Sequence, residues 1–100
     1  MLTITPEEVK KRLDANENLQ LVDVRESFEH DAFNIGGLLV PLGKIKDFDT
    51  SEIDNLKEQE VILYCRSGNR SGQAALILET LGFTNVKNLI GGMLAWQEKF

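Results

Sequence analysis

Short apolar runs alternate with longer amphipathic stretches along the chain. Residues 19–24 (LQLVDV), apolar and β-branched between asparagines and charges, predict a buried strand; residues 38–40, closed by Pro41, predict another. Glu60 to Tyr64 (EVILY) is the clearest strand in the sequence, and residues 86–90 predict the last. Thr5-Pro6-Glu7-Glu8 reads as a helix start, with Thr5 as cap, proline at the first helical position and acids beside the positive end of the dipole. Val9 and Leu13 would be its inner face. Ser27 begins a second helix, with Phe28, Ala32 and Phe33 on one side, broken at Gly36-Gly37. A polar stretch, 44–49, leads to Thr50, Ser51 and Glu52, which can start a helix carrying Ile53 and Leu56. Residues 70–81, apolar or small on almost every face (Ala74, Ala75, Leu76, Ile77, Leu78, Leu81), predict a helix ended by Gly82 as a left-handed cap. After the Gly91-Gly92 turn, residues 93–100 predict a terminal helix. Its Trp96, together with Phe83, reads as a core or cap residue.

Strands that are near-continuous apolar runs and alternate with helices call for a parallel sheet covered on both faces, an α/β fold. With 100 residues and neither repeat nor linker, residues 1–100 are expected to form a single domain. In such sheets the working site lies outside the carboxyl ends of the strands. Cys65, directly after Tyr64, stands at such an end.

Composition narrows the partners. Hydrophobic residues make up 42% and charged residues 27%, with a formal net charge of −5, a balance that repels phosphate backbones and anionic lipid; neither nucleic acid nor a membrane is an expected partner. The start MLTITPEEVKKRL lacks a basic region followed by an apolar run, and nothing approaches a membrane-length apolar segment, so a cytoplasmic location is expected. Cys65 is the only cysteine. It cannot form an internal disulfide or a multi-cysteine metal site, and no metal or cofactor is expected. Chemistry passing through a disulfide-like intermediate must draw its second sulfur from outside the chain.

After the EVILY strand comes the loop CRSGNRS and then a helix. The turn is short, Gly68 and Asn69 tolerate positive φ, and successive N–H groups can point into one concavity. The helix adds its unpaired N–H groups and dipole, and Arg66 and Arg70 supply full charges. An anion is the expected ligand. A thiol there loses its proton readily: a fall in pKa from about 8.5 to about 6.5 raises the thiolate fraction at pH 7 from roughly 3% to roughly three quarters. No histidine base is needed, which suits a chain whose one histidine, His30, lies far from Cys65 in sequence and reads as a surface residue in the acidic stretch EHD. A cysteine in an anion cradle can attack phosphorus in a phosphate ester or the outer sulfur of a thiosulfonate or polysulfide. Cysteine phosphatases place five residues between cysteine and arginine; here only Arg66, Ser67, Gly68 and Asn69 intervene before Arg70, a loop better matched to one sulfur atom.

These residues resemble the rhodanese-like sulfurtransferases over nearly the whole chain. Asp23-Val24-Arg25-Glu26 is similar to the family's first signature, and residues 33–37 (FNIGG) with Pro41-Leu42 to its glycine-turn and proline segment. Residues 64–71 (YCRSGNRS) resemble its active-site loop, and Gly82-Phe83 with residues 89–92 (LIGG) and Trp96 its C-terminal signature. Gly37-Leu38 stands where the family often has glycine and alanine. The resemblance implies a rhodanese-like fold with a central parallel sheet of about five strands and helices on both faces. It implies a double displacement in which Cys65 takes sulfane sulfur from a donor such as thiosulfate or polysulfide and yields it to cyanide or a thiol. Small sulfur-containing anions and an external thiol or protein acceptor are the implied partners. Ser67, Gly68 and Asn69 would supply the binding loop, and Arg66 and Arg70 would bind the donor or departing sulfite. Asp23 and Arg25, an acid and a base at a strand end, could serve the site but read as structural support, a local ion pair or turn contacts that hold neighbouring loops. The rival is a docking or sulfur-relay module; a phosphatase or arsenate reductase is a third reading.

Overall fold

The strand Glu60–Tyr64 alternates its side chains between two cores. In a computed structural model of residues 1–100, Val61, Leu63 and the following Cys65 pack with one apolar cluster, while Ile62 and Tyr64 pack with another. All five residues are essentially buried except Glu60 at the strand's start. Hence the continuous apolar run.

The elements in chain order are β1 (Leu2–Ile4), α1 (Pro6–Asp14), β2 (Gln20–Asp23), α2 (Ser27–Ala32), β3 (Leu38–Leu39), α3 (Leu42–Lys46), a 3₁₀ turn (Asp54–Leu56), β4 (Glu60–Tyr64), α4 (Asn69–Thr80), β5 (Asn85–Leu89) and α5 (Gly92–Lys99). The five strands form one parallel sheet in the order β1-β5-β4-β2-β3. One face is covered by α3 and α4, through Leu42, Ile45, Ala74, Ala75 and Leu78. The other is covered by α1 and α5, through Val9, Met93 and Trp96. The α/β architecture with a five-stranded parallel sheet and helices on both faces is therefore as expected. No helix is long and apolar enough to cross a membrane.

Local chemistry sets the first two helix starts. The Thr5 hydroxyl accepts from the Glu8 N–H with Pro6 at the first position of α1. At α2, Glu26 and Glu29 form a reciprocal capping box. Three expectations need correction. The segment 44–49, read as a polar connection, begins inside α3, a helix too short to show a period because only Leu42 and Ile45 turn inward. Where a helix from Thr50 was expected there is a single 3₁₀ turn, with Ile53 fully buried ahead of it. The edge strand β1 was not expected; three residues of backbone pairing with β5 leave no alternation to read. Two apolar positions also differ: Leu76 and Phe28 lie on helix faces open to solvent.

Strand β4 is central, flanked by β2 and β5. Successive strands run outward from β2 to β3 and then return through β4 to β5, so the topological switch falls between β2 and β4. The loops after β2, β4 and β5 converge at the carboxyl end of the sheet. The Tyr64 side chain ties β4 to the turn ahead of β3: its buried hydroxyl accepts from the Gly37 N–H at 3.2 Å, and burial pushes its pKa up to about 12. Replacing it (Tyr64→Phe) leaves that buried N–H without an acceptor and is expected to cost about 1–2 kcal/mol. Urea denaturation should show this as a lower midpoint at unchanged slope.

Candidate active site

Cys65 begins the turn between β4 and α4 and is buried. Gly68, at φ 103°, forms the left-handed N-cap of α4, a conformation that an L side chain rarely adopts. This bend folds the loop back over the sulfur. Sγ accepts from the N–H of Gly68 at 3.1 Å, from the N–H of Ser71 at 3.4 Å, and faces the Ser71 hydroxyl at 3.4 Å. Burial pushes the thiol pKa up, but the Ser71 hydroxyl and the N–H groups of Ser71, Gly68 and Ser67 outweigh it, leaving the pKa lower than that of an ordinary thiol.

The outward side of the loop is fixed by α5. The N–H of Met93 donates to the Cys65 carbonyl and that of Leu94 to the Arg66 carbonyl, both at 2.9 Å. A trans peptide points its N–H opposite its C=O. Tying these carbonyls to α5 therefore turns the Arg66 and Ser67 N–H groups away from α5. Gly92, at φ 54°, permits this contact: a Cβ there would lie 2.4 Å from the Cys65 carbonyl oxygen and 2.7 Å from the Arg66 carbonyl.

The two loop arginines behave differently. Arg70 forms a two-pronged pair with Glu29 of α2, at 2.7 and 2.8 Å, and the paired guanidinium holds the Glu29 carboxyl down at about 2. Arg66 is exposed and has no carboxylate partner, whereas Arg12, Arg25 and Arg70 are all paired. It lines a groove of about 350 Å³ between α2 and α5, together with Phe28, Phe33, Met93 and Leu94. The remaining loop residues are Ser67, exposed with its N–H toward Sγ, and Asn69, whose side chain accepts from Gln73 at the helix surface.

Asp23 and Arg25 form a buried pair at the end of β2. The Asp23 carboxylate accepts from Arg25 Nε at 2.9 Å, from its Nη2 at 2.8 Å and from its backbone N–H at 3.0 Å, and Nη2 also donates to the Phe33 carbonyl. The pair ties the end of β2 to the segment after α2 at the groove's floor. His30, expected at the surface, is instead half-buried with Nδ1 2.9 Å from Asp23. Its partner lies one turn and a strand end away, which the charged string EHD does not reveal. Sequence reasoning also missed Glu29 and Asn88, the latter contacting both Gly68 and Ser71.

The chain that carries this cysteine loop has counterparts among known proteins. The Rhodanese-like domain family matches residues 5–99. The chain belongs to the rhodanese-like family. The curated "Sulfurtransferase" of Allochromatium vinosum is 37% identical over 99 residues, covering 93% of this chain and 85% of that protein. "Probable adenylyltransferase/sulfurtransferase MoeZ" of Mycobacterium tuberculosis is 33% identical over 97% of this chain, which spans only 25% of that longer protein. A rhodanese-like domain protein from Staphylococcus aureus superposes with a TM-score of 0.84 at 32% identity, covering 96% of this chain and 91% of that one.

Two outcomes follow for this rhodanese-like site. Gly92→Ala forces a Cβ into the loop carbonyls and should destabilise the fold by about 2–3 kcal/mol, while slowing alkylation of Cys65. Glu29, lowered to about 2, adds stability that is complete above its unfolded pKa of roughly 4.3 and fades as pH falls toward 2. Glu29→Gln should flatten the acid limb of a stability–pH curve between those values. The limb should not vanish, because Glu60 is also held at about 2, by Arg12 and then Lys87.

Proposed function

We propose that residues 1–100 act as a single-domain rhodanese-type sulfurtransferase with Cys65 as the persulfide-forming nucleophile. The observation that carries this reading is the ring of Gly68 and Ser71 donors, 3.1–3.4 Å from Sγ. It favours a sulfur anion over a neutral thiol. The Cys65 thiolate attacks the outer sulfur of thiosulfate or a polysulfide; a new S–S bond forms as the donor's S–S bond breaks, and sulfite or the shortened polysulfide leaves with the electron pair. The outer persulfide sulfur then carries the negative charge against the loop amides. An external thiolate or cyanide attacks that sulfur and regenerates the Cys65 thiolate. Cys65 being the only cysteine of these 100 residues, an accepting thiol must come from outside them.

Arg66, unpaired at the edge of the groove, is the residue to bind the donor's sulfonate or departing sulfite. The carboxylate tie to Glu29 makes Arg70 a weaker contributor and chiefly a brace between α4 and α2. Ser67, Gly68 and Asn69 shape the amide ring, while Asp23 and Arg25 support it from β2. The groove's exposed rim, with Phe28 72% and Leu94 44% accessible, suits an acceptor thiol on an apolar body, including one carried by a partner protein in a sulfur relay. A cytoplasmic setting fits an unpaired reactive thiol.

Intact mass after incubation with thiosulfate tests the reading. The wild type should gain one sulfur, about 32 Da, that a cyanide chase removes; Cys65→Ser should gain none. No gain from either thiosulfate or polysulfide would leave a docking module as the better account. Among variants that load sulfur, Arg66→Met should raise KM for thiosulfate about tenfold and Arg70→Met distinctly less, as expected for losing one charge-assisted contact.

A further inference from the structure

Asn88, on β5, has no reactive chemistry, yet its amide touches both halves of the cysteine loop. Nδ2 donates to the Gly68 carbonyl at 3.0 Å, and Oδ1 lies 2.5 Å from Ser71 Oγ. The orientation is forced: the Gly68 oxygen can only accept, so the NH₂ must face it and the amide oxygen must face Ser71. Ser71, fully buried in the first turn of α4, also places Oγ 3.4 Å from Cys65 Sγ. Both contacts require the same hydroxyl proton. It can serve one of them at a time.

Which acceptor wins depends on where the negative charge lies. A thiolate Sγ is a charged acceptor and draws the proton; hydrogen bonds to charged groups are roughly twice as strong as neutral ones. A protonated or disulfide-bonded Sγ is a weak acceptor, and the amide oxygen of Asn88 is then the better partner. We infer that Asn88 is a positioning residue for sulfur transfer: it holds the Ser71 hydroxyl while Sγ is uncharged and releases it to Sγ when the thiolate returns. As the donor's S–S bond breaks and the Sγ–S bond forms, the charge moves one atom outward to the new terminal sulfur, and sulfite leaves with its electron pair. The Ser71 O–H rotates from Sγ to Asn88 without transferring its proton. Discharge to an acceptor reverses the rotation.

This arrangement has a signature that loop damage does not share. Removing Oδ1 (Asn88→Ala) costs the thiol and persulfide states their Ser71–Asn88 hydrogen bond but costs the thiolate nothing at that contact. Cys65 becomes easier to ionise, and its persulfide becomes harder to keep. Mere loosening of the loop would weaken the amide ring and raise the thiol pKa instead. The charged groups around the loop are Arg66 within it, Arg70 on α4, Glu26 and Glu29 at α2, and Arg25 after β2, while Lys87 of β5 is turned to Glu60. None of them is changed in these variants.

The persulfide half of the inference rests on the sulfur-transfer reading; the thiol half does not. The test measures the pH midpoint of Cys65 alkylation by iodoacetamide, and the persulfide-to-thiol ratio by intact mass at a fixed thiosulfate-to-sulfite ratio. Wild type, Asn88→Ala, Ser71→Ala and the double variant are compared. Asn88→Ala should lower the midpoint by about half to one pH unit, and lower the persulfide ratio by about fivefold, the scale of one hydrogen bond. Ser71→Ala should raise the midpoint, and adding Asn88→Ala to it should no longer lower it. Asn88→Ser, one atom too short to reach Ser71, replaces the alanine variant if that one does not fold, with the same expected directions. A midpoint that rises in Asn88→Ala, or an equal shift with and without the Ser71 hydroxyl, overturns the inference. If the wild type takes up no sulfur, the sulfur-transfer reading fails alone, and the midpoints still decide whether Asn88 acts through Ser71.

Discussion

The cysteine loop depends on two backbone hydrogen bonds, from Met93 and Leu94 at the start of α5 to the carbonyls of Cys65 and Arg66. A loop that folds its N–H groups inward leaves its carbonyls outward, and those need partners as much as any buried polar group. The first turn of a helix supplies unpaired donors. The site is thus built from two helix starts: α4 beneath the sulfur, giving the Ser71 N–H, and α5 behind the loop, taking the carbonyls. The close approach needed for the second explains why Gly92 stands where a Cβ would meet the Cys65 oxygen at 2.4 Å.

Charge around the site is arranged by leaving one cation free. Asp23 neutralises Arg25 in the interior and Glu29 neutralises Arg70 across the two helices, so these arginines act mainly as rigid ties. Arg66 keeps its charge available beside the groove. On a chain with net charge −5, one unpaired guanidinium near an amide ring is a local concentration of positive charge against a generally negative background. The lining of the same groove is apolar beside that charge, from Phe28, Phe33, Met93 and Leu94.

The parts legible in the sequence were those set by local chemistry. EVILY followed by CRSGNRS carries a buried strand, a positive-φ turn and a helix start within twelve residues, and all are found where the pattern puts them, with α4 displaced by a single residue from its expected span. The parts that were not legible depend on distant partners or on too few residues. Leu2–Ile4 becomes a strand only because β5 offers its edge, and α3 turns inward only two side chains. Glu29 reaches Arg70 across 41 positions and Asn88 reaches Ser71 across 17; neither relation has a spacing rule. The exposure of Phe28 was missed for a related reason: periodicity gives a helix an apolar side, but only the groove between α2 and α5 shows that this side is left open.

Sulfur transfer at Cys65, as proposed, requires the loop to stabilise negative charge there despite burial. Titrating the thiolate by its ultraviolet absorbance, in the folded protein and in the chain unfolded by urea, tests this most directly, since Cys65 is the only thiol present. The folded midpoint should lie below the unfolded one. A folded midpoint equal to or above the unfolded value would mean that burial outweighs the amide ring, and would contradict the anion cradle on which the proposed sulfur chemistry rests.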